Sequence, residues 1–422
     1  MSPDQIHKVC VTGMGVVTPV GIGIPAFTEA LKNGKSNFAI KEYVIEDRTF
    51  KYIYGKVEDF DLKKHISDSE FEEHWKLKVK RLRDISLSTA YGTFCALEAW
   101  HHAKLPSTID KSKIAIVVAG NNTQQQHCQD IRDTYKNKMQ FMKPSYGFNF
   151  LDSDMIGVAS ELFEITGEGF TVGAASASGN MGIIQACRLI EAKDYDAVMV
   201  IAPMMDLSVY EYQGLSALGA MQPISPDAEE IPLYKPFDVG HTGFVYGQNA
   251  GAIILESKEH AQQRKAKVFG TISGYGVTLD ANRNPNPSVD GEQKAIAKAM
   301  QKAGIVPEQI DYINAHGTGS KLGDYTEIEA LINLELKNKP INSTKSLIGH
   351  GITAAGTVEA IASLIQMNEN FVHENLNLKT PIDFPMDWIQ SYRDVHSIQY
   401  TLSNSFGFGG INTAIILEAS PI

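Results

Sequence analysis

Short apolar runs alternate with amphipathic stretches along the whole chain. Residues 8–20, KVCVTGMGVVTPV, are a β-branched run that breaks on Gly13 and Gly15, which predicts a buried strand followed by a tight loop. A helix is expected over 25–33 and a longer one over 86–103. KIAIVVAGNN at 113–122 is apolar enough to be a strand buried on both faces of a sheet. Residues 169–192, GFTVGAASASGNMGIIQACRLIEA, pass from a strand through a cluster of very small residues into a helix whose Ile183, Ile184, Cys187 and Ile190 recur at helical spacing. Further strands are predicted at 197–206, near the end of 231–257, and at 266–280. The helix EQKAIAKAMQKAG, the strand IDYINAHGTG and a closing strand within 401–418 complete the series. Such alternation predicts an α/β fold with mixed or parallel sheets. AKVFGTISGYGVTLD also echoes the opening run as a strand ending in a Gly-x-Gly loop, so a duplicated fold is expected in place of two unrelated domains. Two regions lack periodicity: 43–84 reads as irregular, charged surface, and 123–155 as polar and irregular, with PSYGFNFLD as a covering loop.

Composition narrows the classes. The chain has 422 residues, 43% of them hydrophobic, enough for one large core or two fused halves around a shared one. A formal net charge of -11 argues against non-specific nucleic-acid binding. Neither a membrane-length apolar run nor a signal peptide is read, and the cytoplasm is the expected location. Cys10, Cys95, Cys128 and Cys187 show no paired spacing and read as core thiols. Lys76, Lys78, Lys80, Arg81 and Arg83 gather in one basic segment, to be weighed as a solvated face or as a docking patch for an acidic protein.

The candidate chemistry lies at the ends of strands. Ser176 sits where the small-residue stretch meets its helix. It is expected either to cap that helix or to occupy a place where helix-terminal N–H groups favour an anionic nucleophile or oxyanion. His316 in NAHGTGSKLGD and His350 in STKSLIGHGITAAGTVEA lie among glycines, each read as directly following a strand, where ligands of open α/β sheets bind. No carboxylate stands at metal-site spacing from either histidine, so no metal is expected. The lone GMG does not complete a dinucleotide fingerprint. Phe406 and Phe408 lie in a glycine-rich loop and would wall a cavity against water.

VTGMGVVTPVG, PFDVGHTGF, NAHGTGSKLGD, KSLIGHGITAAGTVEA and NSFGFGGIN, in this order, resemble the β-ketoacyl synthases of the thiolase superfamily from Val9 to Glu418. The resemblance implies a thiolase fold of five layers, α/β/α/β/α, built from two duplicated halves: 1–258 with Ser176, and 259–422 with both histidines. It implies a Cys-His-His site in which Ser176 stands at the cysteine position, His316 and His350 match the histidines, and Lys345 and Glu359 a supporting ion pair. Thr318 and Ser320 match hydroxyls near a pantetheine arm, and Phe406 a gatekeeper. It further implies a homodimer, with the strand around 116–120 a candidate for pairing across its axis, and acyl carrier protein as transient partner. No cofactor is implied beyond the phosphopantetheine arm that the carrier brings.

Three departures stand out: serine for the cysteine, GQNAG at 247–251 where the family has GEGAG, and APMMD in place of a Gly-Gly-x-Glu sequence. A serine hydroxyl ionises far less readily than a thiol, and no general base of the Ser-His-Asp kind is evident for it. Acylation is therefore expected to be slow or absent, while decarboxylation of a malonyl thioester keeps its histidines. The sequence resembles the serine-bearing decarboxylase-type ketosynthases of polyketide β-branching. These are expected to convert malonyl- to acetyl-acyl carrier protein for a partner resembling hydroxymethylglutaryl-CoA synthase. The alternatives are a condensing enzyme whose cysteine was replaced by engineering, a non-catalytic chain-length-factor-like subunit, and a serine hydrolase or acyltransferase.

Overall fold

The computed structural model describes residues 9–106 and 108–420; positions 1–8, 107 and 421–422 of the expected halves lie outside the described residues. Numbering only the elements that recur, the first part of the chain contributes β1 (Val9–Thr18), α1 (Leu87–Ala103), β2 (Ile114–Ala119), α2 (Asp154–Phe163), β3 (Gly169–Val172), α3 (Ser178–Glu191), β4 (Ala197–Ala202) and β5 (Ala250–Ser257). The second contributes β6 (Gly270–Leu279), α4 (Val289–Ala303), β7 (Tyr312–Asn314), α5 (Lys321–Asn333), β8 (Pro340–Asn342), α6 (Ala355–Glu369), β9 (Tyr400–Gly407) and β10 (Ile411–Glu418).

The duplication is explicit in the topology. The spatial order β3-β2-β4-β5-β1 repeats as β8-β7-β9-β10-β6. In each set the first three strands run parallel and the last two junctions are antiparallel. A three-residue antiparallel contact, Val9–Val11 with 270–272, joins the two sets edge to edge. Three apolar cores fill the spaces between layers. The central one packs Ile183, Ile184, Cys187 and Ile190 of α3 and Val358, Ile361 and Leu364 of α6 between the sheets. The outer two pack α1 and α2 on the first sheet and α4 and α5 on the second. The result is the expected five-layered α/β/α/β/α thiolase fold.

Both Gly-x-Gly pairs lie inside strands and not in the loops predicted for them. A Cβ on Gly13 or Gly15 would run into the carbonyls of Ala99 and Cys95 on α1, and one on Gly274 or Gly276 into those of Ala299 and Ala295 on α4. The glycines let a helix lie directly on its sheet. Each strand has an irregularity at the same place, Val11/Gly13 and Ile272/Gly274.

The two aperiodic regions are more ordered than their composition suggests. Residues 38–55 form a hairpin, Phe38–Ile45 with Arg48–Gly55, and Glu73–Arg81 is a helix that buries Trp75 and Val79. Within 123–155, Gln125–Tyr135 is helical. Their apolar faces are narrow and interrupted, which hides them from a periodicity reading. The dimer-axis expectation for 116–120 is corrected: β2 is paired on both sides, with β3 and β4, and the edge strand at this end of the sheet, among the described residues, is β3. All four cysteines are buried and unpaired, with burial pushing the thiols of Cys95 and Cys187 up and that of Cys10 to about 11.

Candidate active site

β3 enters α3 through a strained turn. Ala175 has φ 47° and begins one turn of 3-10 helix, Ala175–Ala177, a conformation that a residue bearing a Cβ holds only when its surroundings fix it. Gly179 is pressed against the Thr357 backbone nitrogen of α6, and Gly407 of β9 lies against the Ala174 carbonyl. Ser178 supplies the local hydrogen bonds: its Oγ accepts from the Ala174 N–H at 2.9 Å and donates to the Ala175 carbonyl at 2.7 Å. The N-cap of α3 is Ala177, without a side-chain cap. The capping expectation for Ser176 is therefore overturned, and its hydroxyl is left to face His350 Nε2 at 2.9 Å.

His316 follows β7 by one residue, as expected. Two backbone N–H groups of its loop, His316 and Gly317, donate to the two oxygens of Glu327 on α5, each at 2.8 Å, and Asp324 accepts from Gly319 N–H at 3.0 Å. Lys345, fully buried, forms an ion pair with Glu359. Its ammonium also donates to the His316 carbonyl at 2.6 Å and faces His316 Nδ1 at 3.4 Å. Burial pushes the Glu359 carboxyl up to about 7 against the pull of Lys345. An ammonium has only hydrogens to offer, so His316 Nδ1 is the acceptor and the proton sits on Nε2.

His350 does not directly follow a strand; the short helix Lys345–Ile348 intervenes. Its own backbone is clamped between Val245 and Gly247, with His350 N–H to Val245 at 2.7 Å and Gly247 N–H to His350 at 3.0 Å. The Ile352 N–H points at His350 Nδ1 at 3.3 Å, which makes that nitrogen the acceptor and again leaves the proton on Nε2. A hydroxyl beside an imidazole looks like a nucleophile beside its base. Here the imidazole donates to Ser176 and has no lone pair to take its proton, unlike the Ser-His-Asp arrangement, in which Nδ1 carries the hydrogen. Burial, and then the nearby Lys345, hold both imidazoles well below the usual histidine range; for His316 the neighbouring His350 adds to this. Both are neutral donors at neutral pH. Their rings are 5.4 Å apart, flanked by Phe406 on His316 at 5.6 Å and Phe244 on His350 at 5.2 Å.

Two clefts meet at Ser176. One, about 1040 Å³ including its open mouth, is lined by Thr318, Ser320, His316, His350 and Phe406. The Thr318 and Ser320 hydroxyls are 3.0 Å apart. The second, about 1240 Å³, runs past Met205, Leu207, Leu215 and Ile352. Phe406 is a buried strand residue of β9 and lines only the first cleft. Phe408, 40% exposed on the turn before Gly409 and Gly410, borders both. Ser176, Leu218 and Phe244 border both clefts as well. Sequence reasoning also missed Glu327, which aims the His316 loop, and Ile352, which fixes the His350 tautomer. Neither carries a motif signal that composition could reveal.

The departure at GQNAG has a structural reading. Gln248 Oε1 accepts the Val57 N–H at 2.9 Å, an acceptor task that a carboxylate would share, and Asn249 Nδ2 ties down the Ile348 and Gly349 carbonyls, each at 3.3 Å, beside His350. In the basic segment Lys78 is bound to Glu164 and the Leu162 carbonyl, whereas Lys80, Arg81 and Arg83 are exposed. Among the described residues there is no group of three or more His, Cys, Asp or Glu placed to hold a metal, and no helix long and apolar enough to cross a membrane.

The family models for the N-terminal and C-terminal domains of β-ketoacyl synthase match residues 7–261 and 269–379. The chain is 37% identical over 418 residues, 99% of this chain and 98% of the relative, to the polyketide biosynthesis malonyl-ACP decarboxylase PksF of Bacillus subtilis. It is 29% identical over 426 residues, 98% of this chain and 99% of the relative, to 3-oxoacyl-[acyl-carrier-protein] synthase 2 of Vibrio cholerae. Among solved structures it resembles a ketosynthase in complex with a type II acyl-carrier protein and bound to the hexaketide (AntDE:AntF), with a TM-score of 0.85, 25% identity, and coverage of 99% of this chain and 100% of that one.

Proposed function

The chain belongs to the β-ketoacyl synthase family, and we propose that within it this protein is a decarboxylase that converts malonyl-acyl carrier protein to acetyl-acyl carrier protein. One observation carries the reading: both imidazoles present Nε2–H donors to a cavity whose nucleophile position holds a hydroxyl that His350 cannot deprotonate. The likeness to PksF over nearly the full chain supports it.

In this reading the phosphopantetheine arm of the carrier enters the first cleft past Thr318 and Ser320. The malonyl thioester oxygen takes the Nε2–H bonds of His316 and His350, the latter released from Ser176. As the bond to the carboxylate breaks, CO2 leaves and its electron pair moves into the thioester, so that negative charge grows on the oxygen facing two preset donors. The enolate carbon then takes a proton to become the acetyl methyl. Ser176 forms no acyl ester, because its proton has no acceptor. A chain-length-factor-like role would leave two desolvated, oriented donors without a task.

The acetyl carrier would pass to an enzyme resembling hydroxymethylglutaryl-CoA synthase in polyketide β-branching, in the cytoplasm. The protein would act as a homodimer, with the exposed Lys80, Arg81 and Arg83 receiving the acidic carrier. Purified protein given malonyl-loaded carrier protein should release CO2 and yield acetyl carrier without a mass adduct on the enzyme. A stable ester on Ser176, or no CO2, would overturn the reading. Ser176→Cys tested for carbon–carbon bond formation separates it from an engineered condensing enzyme.

A further inference from the structure

Decarboxylation has a requirement that condensation does not. A condensing enzyme directs the enolate carbon at an acyl group, whereas a decarboxylase must give that carbon one proton in every turnover. The neutral imidazoles and the hydroxyls of Ser176, Thr318 and Ser320 are hydrogen-bond donors of very low acidity. The carboxyls on the cavity wall differ in kind.

Glu292, in the first turn of α4, lines the cleft that holds Ser176, His316 and His350. Its side chain is 1% exposed, and its Oε2 is buried without a hydrogen-bond partner among the described residues. Two other carboxyls line the same cleft, Glu327 from α5 and Asp280 from the end of β6. Glu327 accepts from the His316 and Gly317 N–H groups and from Asn404 Nδ2 at 3.0 Å, and Asp280 accepts from Asn412 Nδ2 at 2.6 Å. Both oxygens of Glu327 are occupied as acceptors, whereas Asp280 accepts on Oδ1 and its Oδ2 is buried without a partner among the described residues. Glu292 has neither donors nor a cation, and burial beside the other two holds its carboxyl well above the usual range. Burial raises the Glu327 and Asp280 carboxyls as well, but each has hydrogen bonds that pull it back down and Glu292 has none, so of the three it is the one that most favours the protonated form.

We propose that Glu292 supplies the proton that turns the enolate into the acetyl methyl. The inference rests on the decarboxylase reading. The balance is simple: the carboxylic acid O–H breaks, its proton forms the new C–H bond at the enolate carbon, and the carboxylate is reprotonated by water from the open mouth of the cleft. No oxidant or co-reactant is needed.

If the proton is withheld, the enolate persists and CO2 can return to it. The test follows parent protein and Glu292→Gln on malonyl-loaded carrier protein under 13CO2. Parent protein should form acetyl carrier with no label in the remaining malonyl group. Glu292→Gln should lose roughly hundredfold in kcat, the scale of general-acid catalysis, with little change in KM, and should exchange 13C into malonyl carrier. Glu292→Asp should recover part of the rate, and Glu292→Leu should behave like the glutamine variant, which keeps the test available if either folds poorly. Turnover of Glu292→Gln within about twofold of parent, without exchange, would overturn the proposal alone, since a general acid is worth far more than that. A parent that releases no CO2 would overturn both it and the decarboxylase reading.

Discussion

The two halves of the molecule contain the same strained turn, and only one of them faces a partner. Ala175, Ser176 and Ala177 precede α3 as Ile352, Thr353 and Ala354 precede α6. Each triplet is one turn of 3-10 helix, and each begins on a residue of positive φ, 47° and 51°. The glycines that follow, Gly179 and Gly356, each lie against the other half's helix start. Ser176 has His350 at 2.9 Å, whereas the Thr353 hydroxyl is buried with no partner among the described residues. The strain therefore comes from packing two copied helices at close range and is no mark of chemistry by itself. Chemistry requires the histidine loops, and both of these come from the second half.

Removing the loops' contribution should have the largest effect. His316→Ala and His350→Ala should each lower CO2 release by roughly two to three orders of magnitude, the usual scale for one lost oxyanion donor. Disturbing the shared turn should next cost stability. A Cβ on Gly356 would stand 2.6 Å from the Asn180 backbone nitrogen, so Gly356→Ala should destabilise by about 1–3 kcal/mol in urea unfolding, the range for overpacking. Ser176→Ala should stay within about tenfold of parent in kcat, well short of one lost oxyanion donor, because the hydroxyl receives His350 without being ionised by it. Both imidazoles already titrate well below 6.5. They stay neutral as pH falls through the ordinary histidine range, so kcat should not fall between about pH 7 and about pH 6 for want of neutral imidazoles, and an inflection there would belong to the Glu359 carboxyl, held at about 7. Thr353→Val should be the quietest change, with activity intact and a melting temperature equal to or above parent, because it removes an unpaired buried hydroxyl.

Much of this was legible in the chain. The alternation of runs predicted the α/β class, the echo of KVCVTGMGVVTPV in AKVFGTISGYGVTLD the duplication, and the glycine-flanked histidines the site. What stayed hidden depends on partners distant in sequence. The tautomer of His350 is set by one amide, that of Ile352, and the helix start expected to be capped by Ser176 has no side-chain cap. Neither follows from residue type. The strand glycines were misplaced into loops because glycine signals a turn and a close helix contact alike. Glu292 left a trace: it shares the α4 face that buries Ala295, Ile296 and Ala299, and a carboxyl on an apolar stripe is a visible anomaly.

The Ile352 amide has a consequence for the history such a duplication leaves. The second turn presents no reacting group, yet its first N–H decides on which nitrogen His350 keeps its hydrogen, and so whether the hydroxyl in the first turn meets a donor or a base. A silent copy is thus still answerable for the active one. Substitutions that relax the second turn would be free to accumulate by every criterion of contact with substrate, and would still rewrite the reaction by turning one ring's proton around.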